Sequence, residues 1–192
     1  MRNRIIIITA LLAMVFPYRL AAETDKGTAI VAHRGFWNCE GGGMSKNSIA
    51  ALEQAQKNDF WGSEFDVNMS KDGKLLVFHD GAVEGKSIEK NPAAMFDYYR
   101  LKNGEQIPGI DAFFIQALKS PETMLVFELK KHSRKSVETK AVKASIAKLK
   151  EYGLFSPDRV MFISFSKHIC KEFAALAPGF TVQYLDADAD PD

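Results

Sequence analysis

The sequence predicts an α/β fold whose sheet is mainly parallel. Six short apolar runs rich in β-branched or aromatic residues have the composition of buried strands; they cover residues 29–33, 62–68, 75–79, 124–130, 160–165 and 181–185. Amphipathic helices are predicted between some of these runs, at residues 48–58, 136–152 and 167–176. Strands that alternate with helices are typical of βα units and therefore of a parallel sheet.

The first 22 residues have the features of a secretory signal peptide. Arg2 and Arg4 provide a basic start, an apolar run of about a dozen residues follows, and Ala21-Ala22 offer a cleavage point. The run is shorter than the ~20 residues of a membrane-spanning helix. The alternative is an uncleaved N-terminal anchor. We predict an exported protein, periplasmic or secreted, with one domain over residues 23–192 and no stable membrane span after cleavage.

The charge balance argues against nucleic acid as a partner. The chain has 25 Lys+Arg, of which three lie in residues 1–22, so 22 basic residues remain against 24 acidic ones, a net charge of −2. A nucleic-acid-binding protein usually shows a clustered basic excess, and this sequence has none. Cys39 and Cys170 lie far apart without a spacing motif, so two free thiols are predicted rather than a disulfide.

The first predicted strand ends in His33-Arg34-Gly35. A histidine can transfer protons near neutral pH, and an arginine can hold a phosphate through its planar fork. Gly35 allows the backbone to turn sharply where the strand ends. Alone, these three residues are equally compatible with an exposed histidine beside an arginine.

The second and fourth predicted strands carry acidic pairs or acid–base pairs two residues apart. Glu64 and Asp66 share one face of a strand, as do Glu128 and Lys130. Like charges on an apolar strand repel each other unless a cation joins them, and an all-oxygen ligand set suits Mg²⁺ or Ca²⁺. The alternatives are a strand edge wetted by solvent for the first pair and an intrastrand salt bridge for the second.

His79 follows the third predicted strand, so four successive strands deliver polar side chains at or near their ends. The carboxyl ends of the strands are where α/β barrels keep their active sites. Two histidines, an arginine and three carboxylates are suited to cleaving a phosphodiester. The metal would polarise the phosphate, Arg34 would offset growing charge, and the histidines would act as base and acid.

The run HRGFWNCEGGGMSKNSIAALEQAQKNDFWGSEFDVNMSKDGKLLVFHD, followed by NGEQIPGIDAF, FELK and FISFS, closely resembles the glycerophosphodiester phosphodiesterase family. The single motifs are common, but their order is specific, and the resemblance covers residues 29–186. It implies a TIM-type (β/α)8 barrel that hydrolyses small-molecule glycerophosphodiesters to an alcohol and glycerol 3-phosphate with a divalent metal ion. Carried over by position, the metal ligands would be Glu64, Asp66 and Glu128, the acid/base pair His33 and His79, and the substrate contacts Arg34 and Lys130.

Two departures from the family pattern are visible. The family often has a glutamate where Lys46 stands, which bears on local packing or substrate preference. A complete barrel also needs about 250 residues, so the sequence predicts a barrel truncated after about six strands, with an insertion at residues 81–109. The open edge of such a barrel would favour self-association.

Two other functions are compatible with the same residues. A phospholipase D-like enzyme of the same barrel class would stop at a cyclic phosphate. The motifs His33-Arg34-Gly35 and Glu128-Leu129-Lys130 favour the hydrolase. A truncated, inactive remnant would only bind a phosphorylated ligand.

Overall fold

The computed structural model describes residues 28–186 of the chain. Eight strands and four helices lie within these residues. The strands are β1 (Val31–Ala32), β2 (Gly62–Met69), β3 (Leu75–Val77), β4 (Ala82–Val83), β5 (Lys86–Ser87), β6 (Met124–Leu129), β7 (Val160–Ser164) and β8 (Val182–Tyr184). The helices are α1 (Ile49–Lys57), α2 (Ile110–Ala117), α3 (Lys135–Glu151) and α4 (Lys167–Leu176).

The main sheet confirms the predicted α/β fold. Its parallel strands lie side by side in the order β1-β2-β6-β7-β8. Along the chain, α1 follows β1, α3 follows β6 and α4 follows β7. Neighbouring strands therefore follow the chain direction around the sheet, which is the arrangement of a TIM-type barrel. Their carboxyl ends lie at one edge, where the polar residues were predicted to meet.

The third predicted strand departs from the expected parallel arrangement. β3 pairs with β2 in antiparallel fashion, Val67 lying opposite Val77 and Met69 opposite Leu75. The connection of five residues is too short for the crossover that a parallel pair requires. Gly73, with a φ of +79°, turns the chain there. His79 thus approaches the site from a hairpin that folds back on β2, not from the end of a parallel strand.

The core lies between the sheet and the helices. β2 is buried along its whole length, and Phe65 contacts Phe113 of α2 and Phe127 of β6, with ring centroids 4.5 and 5.1 Å apart. Phe162 of β7 stacks on Phe173 of α4 at 3.9 Å. These side chains are fully buried, and aromatic rings of this size contribute much of the free energy that holds helix to sheet.

Residues 81–109 form a small lobe beside the carboxyl edge of the sheet. It contains the β4-β5 hairpin and a 3-10 turn at Ala93–Phe96, and Val83, Ile88, Phe96 and Ile107 form its own apolar cluster with Leu76. Glu105 ties the lobe to α1, because its two carboxylate oxygens accept the N–H groups of Ile49 and Ala50 at 2.8 and 3.1 Å. A carboxylate is favoured at this position, the positive end of the helix dipole.

Three further predictions concern the ends and the thiols of the chain. The predicted signal peptide lies outside the described residues. No helix within residues 28–186 combines the length and apolar character needed to cross a membrane. Cys39 and Cys170 are both free thiols, as predicted.

Candidate active site

Three carboxylates meet at the carboxyl edge of the sheet. Glu64 and Asp66 alternate with Phe65 on β2, so the acids face the site while the ring enters the core. Glu128 on β6 is in register with Asp66. One oxygen from each of the three acids lies within 4.8 Å of the others, although each residue is no more than 6% exposed. The structure thus brings together all three predicted metal ligands.

The electrostatics of this cluster fit a divalent cation. Burial, followed by the charge of Asp66, raises the pKa of Glu64 to about 8. Burial also raises the pKa of Glu128. Oε1 of Glu64 is buried and has no hydrogen-bond partner among the described residues. Three buried carboxylates with an unpartnered oxygen suit a hard, oxygen-seeking ion, and none of the contacts in the cluster requires a soft ligand.

Lys130 supplies the positive charge nearest these acids. Its Nζ donates to Oε1 of Glu128 at 2.6 Å and to Oδ1 of Asp66 at 3.1 Å. Burial alone would lower the pKa of Lys130, but these two bonds and charges outweigh it and raise the pKa. The pair of Glu128 and Lys130 therefore exists, although Lys130 lies just after the end of β6, and Lys130 also reaches Asp66 of the neighbouring strand.

Arg34 contacts the cluster through its backbone and its side chain. Its backbone N–H donates to Oε2 of Glu64 at 2.7 Å, and its Nε lies 3.4 Å from Oδ2 of Asp66. Arg34 has a φ of +60°, in the left-handed region. Gly35 follows with a φ of +77°, and a Cβ there would lie 2.7 Å from the carbonyl carbon of Ala51. The tight exit from β1 therefore requires Gly35 and aims Arg34 at the acids.

His33 lies beside Glu64, and His79 lines the cleft next to the acids. Nε2 of His33 is 3.8 Å from Oε2 of Glu64, and 72% of its side-chain surface is exposed. Loss of hydration on the protein side, followed by the charge of Arg34, lowers the pKa of His33. Nδ1 of His79 lies 2.7 Å from Oδ1 of Asp80. An ionised aspartate can only accept, so Nδ1 of His79 carries the proton and Nε2 is left as the acceptor.

Asn47 and Asp80 have roles that the sequence did not reveal. Nδ2 of Asn47 donates to Oδ2 of Asp66 at 2.8 Å, and its Oδ1 accepts the backbone N–H of Asp66 at 3.1 Å. The cap of α1 is the neighbouring Ser48, whose Oγ accepts the N–H of Ala51. Asp80 contributes through its contact with His79.

A cleft with a cavity of about 430 Å³ opens beside the acids. One wall belongs to the loop between β1 and α1, and the other belongs to β3 and the lobe of residues 81–109. Its lining includes Arg34, Trp37, Lys46, His79, Tyr99 and Lys102. A substrate held at the acids by Arg34 would extend one of its substituents into this cleft.

Comparison with known proteins agrees with this geometry. The glycerophosphoryl diester phosphodiesterase family matches residues 33–191. The chain is 32% identical over 178 residues to a glycerophosphodiester phosphodiesterase of Bacillus subtilis, covering 82% of this chain and 59% of the relative. It is 26% identical over 172 residues to one of Caldanaerobacter subterraneus, covering 82% and 66%.

Solved structures show the same relationship. The chain superposes on a glycerophosphodiester phosphodiesterase of Parabacteroides distasonis with a TM-score of 0.79 and 36% identity, covering 84% of this chain and 66% of the other. An Oleispira antarctica phosphodiesterase, solved with the product sn-glycerol 3-phosphate, shares the fold with a TM-score of 0.70 at 24% identity, covering 85% and 68%. The chain spans 59% of the length of the Bacillus subtilis relative and 66% of the length of the Caldanaerobacter subterraneus relative, about two thirds or less of each. From the family match over residues 33–191 and the ordered site residues, the chain belongs to the glycerophosphoryl diester phosphodiesterase family.

Proposed function

We propose that this protein hydrolyses glycerophosphodiesters to an alcohol and glycerol 3-phosphate, with a divalent metal ion, Mg²⁺ or Ca²⁺, held by Glu64, Asp66 and Glu128. The observation that carries the proposal is the buried carboxylate cluster at the carboxyl edge of a barrel-type sheet, with an arginine and two histidines around it. The family relationship and the product bound to the Oleispira protein support the substrate class.

The residues of this chain divide the work as follows. When bound, the metal ion would polarise the phosphate oxygens and neutralise part of their charge. Arg34 binds a second oxygen and offsets the charge that grows in the transition state. Lys130 gives a further positive charge at the same edge, and its hydrogen bond and charge oppose the rise that burial causes in the pKa of Glu128. Asn47 holds the carboxylate of Asp66 in place.

The histidines move protons on the two sides of the phosphorus. His79, with its Nδ1 proton held by Asp80, presents Nε2 as the base that takes a proton from the attacking oxygen. That oxygen belongs to water, or to a neighbouring glycerol hydroxyl. In the second case a cyclic phosphate forms first, and water then opens it, giving a proton to His33 while His79 returns its proton to the glycerol oxygen that leaves. The imidazolium of His33 gives its proton to the leaving alcohol as the phosphorus–oxygen bond breaks.

A turnover assay tests the proposal. We expect the purified chain to release glycerol 3-phosphate with Mg²⁺ or Ca²⁺ and to stop in excess chelator. Glu64→Gln should lower turnover roughly 10³-fold or more. Glu53→Gln, an exposed glutamate of α1 paired with Lys57, is the matched control and should keep full activity. Activity that survives chelation, or a fully active Glu64→Gln variant with native circular dichroism, would overturn the metal mechanism.

Phosphorus NMR separates hydrolysis from the phospholipase D-like alternative. Glycerol 3-phosphate should accumulate, and a cyclic phosphate should appear only as a transient species. A cyclic phosphate that persists after all the substrate is consumed would favour the alternative. Binding of a phosphorylated ligand without any turnover would favour the inactive remnant.

Export and self-association also remain proposals. Periplasmic or secreted location is supported by the pattern of residues 1–22 alone. Self-association would use the edge of β8, which pairs only with β7 among the described residues. Cell fractionation and analytical ultracentrifugation test the two.

A further inference from the structure

In the cleft beside the acids, a lysine of the protein covers the face of a tryptophan. Nζ of Lys46 lies 4.6 Å from the centre of the Trp37 ring, within the range of a cation–π interaction. The face of a tryptophan is the strongest aromatic platform for a quaternary ammonium group. Here a lysine of the protein itself covers one face. A choline substituent would therefore have to displace this ammonium group.

The position of Lys46 is fixed by its neighbours in the chain. Ser45 and Asn47 are both buried. Oγ of Ser45 accepts the backbone N–H of Asn103 at 2.7 Å, and Asn47 is bonded to Asp66. The backbone of Lys46 is thus anchored on both sides, and its side chain remains in the cleft rather than elsewhere on the surface.

The charges that line the cleft are mainly positive. Arg34, Lys46 and Lys102 contribute three cations. Asp80 is the carboxylate of the lining, and its Oδ1 is paired with His79. Tyr99, the other aromatic side chain that an ammonium group could contact, is half-buried and packs edge-on against Phe78 with ring centroids 5.9 Å apart. Among residues 28–186 neither Lys46 nor Lys102 has a carboxylate partner, so an anionic substituent is attracted by two lysine charges in this cleft and an ammonium group is repelled.

We propose that this cleft takes the head group of the substrate, that it selects head groups carrying negative charge over choline, and that Lys46 determines this preference. The inference rests on the proposed function. The cavity is several times larger than a glycerol unit, which assigns it to the other substituent of the phosphodiester. Lys46 attracts a phosphorylated polyol and denies the Trp37 face to a quaternary ammonium group.

Three diesters test the proposal with the full chain: glycerophosphoinositol 4-phosphate, glycerophosphoinositol and glycerophosphocholine. The wild type should prefer the first over the third by about tenfold or more in kcat/KM, the size of effect that one desolvated ion pair gives. Lys46→Glu should remove or reverse that ratio, and Lys46→Arg should keep it. Lys143→Glu, the same charge change on the exposed face of α3, should leave it unaltered.

A binding measurement keeps the proposal separate from turnover. Trp37 and Trp61 are the two tryptophans of the chain, so a Trp61→Phe background makes Trp37 the reporter. In chelator, titration of each diester against Trp37 fluorescence gives the order of affinities without hydrolysis. Absence of turnover with an intact affinity order would overturn the proposed activity alone. An equal change for all three diesters in Lys46→Glu would place Lys46 on the phosphodiester and overturn the head-group proposal, as would a wild-type preference for glycerophosphocholine.

Discussion

Nζ of Lys130 lies 2.6 Å from Oε1 of Glu128, so β6 and the residue that directly follows it supply both an acid and a neutralising cation to the site. The same ammonium group bonds Asp66 on the neighbouring strand. Without it, Asp66 and Glu128 would lose the positive charge that offsets their mutual repulsion.

Replacement of Lys130 by Met should therefore destabilise the metal-free protein. We expect a loss of about 2–4 kcal/mol in the free energy of unfolding, because the buried acids lose their cation. Lys131→Met, an exposed neighbour, should change it by less than about 0.5 kcal/mol. Urea unfolding in chelator measures both, and added Mg²⁺ or Ca²⁺ should restore most of the loss in the first variant. Equal stability of the two variants in chelator would contradict the role of Lys130.

Asn47→Ala should lower both activity and metal affinity. Asp66 loses the amide that holds its carboxylate and its backbone N–H, and loss of such a supporting group typically costs about 10- to 100-fold. Isothermal titration with the metal ion gives the affinity, and initial rates give the activity. Asn58→Ala, an exposed asparagine that bonds Gln54 after α1, is the control. An unchanged metal affinity in Asn47→Ala would exclude the positioning role.

Asp80→Asn should lower kcat more than it raises KM. The amide no longer requires a proton on Nδ1 of His79, so part of the population presents the wrong tautomer at Nε2. We expect a fall of about 10- to 100-fold in kcat, less than the ~10²- to 10⁴-fold that a general base contributes, because His79 itself is retained. Asp97→Asn, at an exposed aspartate in the lobe of residues 81–109, removes the same charge and should leave the kinetics unchanged. Equal kinetics for the two variants would leave Asp80 without a function in catalysis.

His132 should make the protein less stable as the pH falls. Burial lowers the pKa of His132 below its ordinary value of 6.5. Its Nε2 accepts the backbone N–H of Met69 at 3.1 Å, which requires a neutral ring. Below about pH 6.5 the unfolded chain binds a proton that the folded protein does not, so the free energy of unfolding decreases toward lower pH.

Replacement of His132 by Gln removes this titrating group and retains an acceptor for Met69. The slope of unfolding free energy against pH between about 6.5 and 5 should therefore be shallower in the variant. His168→Gln, at a histidine whose Nε2 bonds the hydroxyl of Thr139 rather than a backbone N–H, is the control for the loss of a histidine as such. Parallel pH profiles for the wild type and His132→Gln would contradict the buried, neutral state.

The strands and the site could be predicted because their signals are local. The alternation of Glu64, Phe65 and Asp66 fixes which side chains share a face, and the carboxyl edge follows from the strand order. The strand β3 was predicted, but its antiparallel direction was not, although Asp72-Gly73 is a strong turn signal between two strands. α2 was also missed, although Ile110, Phe113, Phe114 and Ala117 have helical spacing.

The supporting contacts could not be predicted in the same way. Asn47 and Asp66 are 19 residues apart, and their bonds depend on the left-handed backbone at Asn47, with a φ of +57°. Side chains of similar polarity in the same loop have other partners. Such pairings depend on tertiary geometry, for which the sequence pattern alone carries no period or spacing.

The left-handed turn at Arg34 has a consequence for mutational scanning. A side-chain substitution at Arg34 removes the guanidinium but leaves the backbone N–H that donates to Glu64, so the measured loss of activity reports the side chain alone. The position of that N–H depends on the next residue, Gly35, whose lack of a side chain lets the backbone pass close to Ala51. The two positions therefore act together. If substitutions of Gly35 abolish activity in a mutational scan, the cause is the backbone that orients Glu64, not a general need for conformational flexibility in the loop.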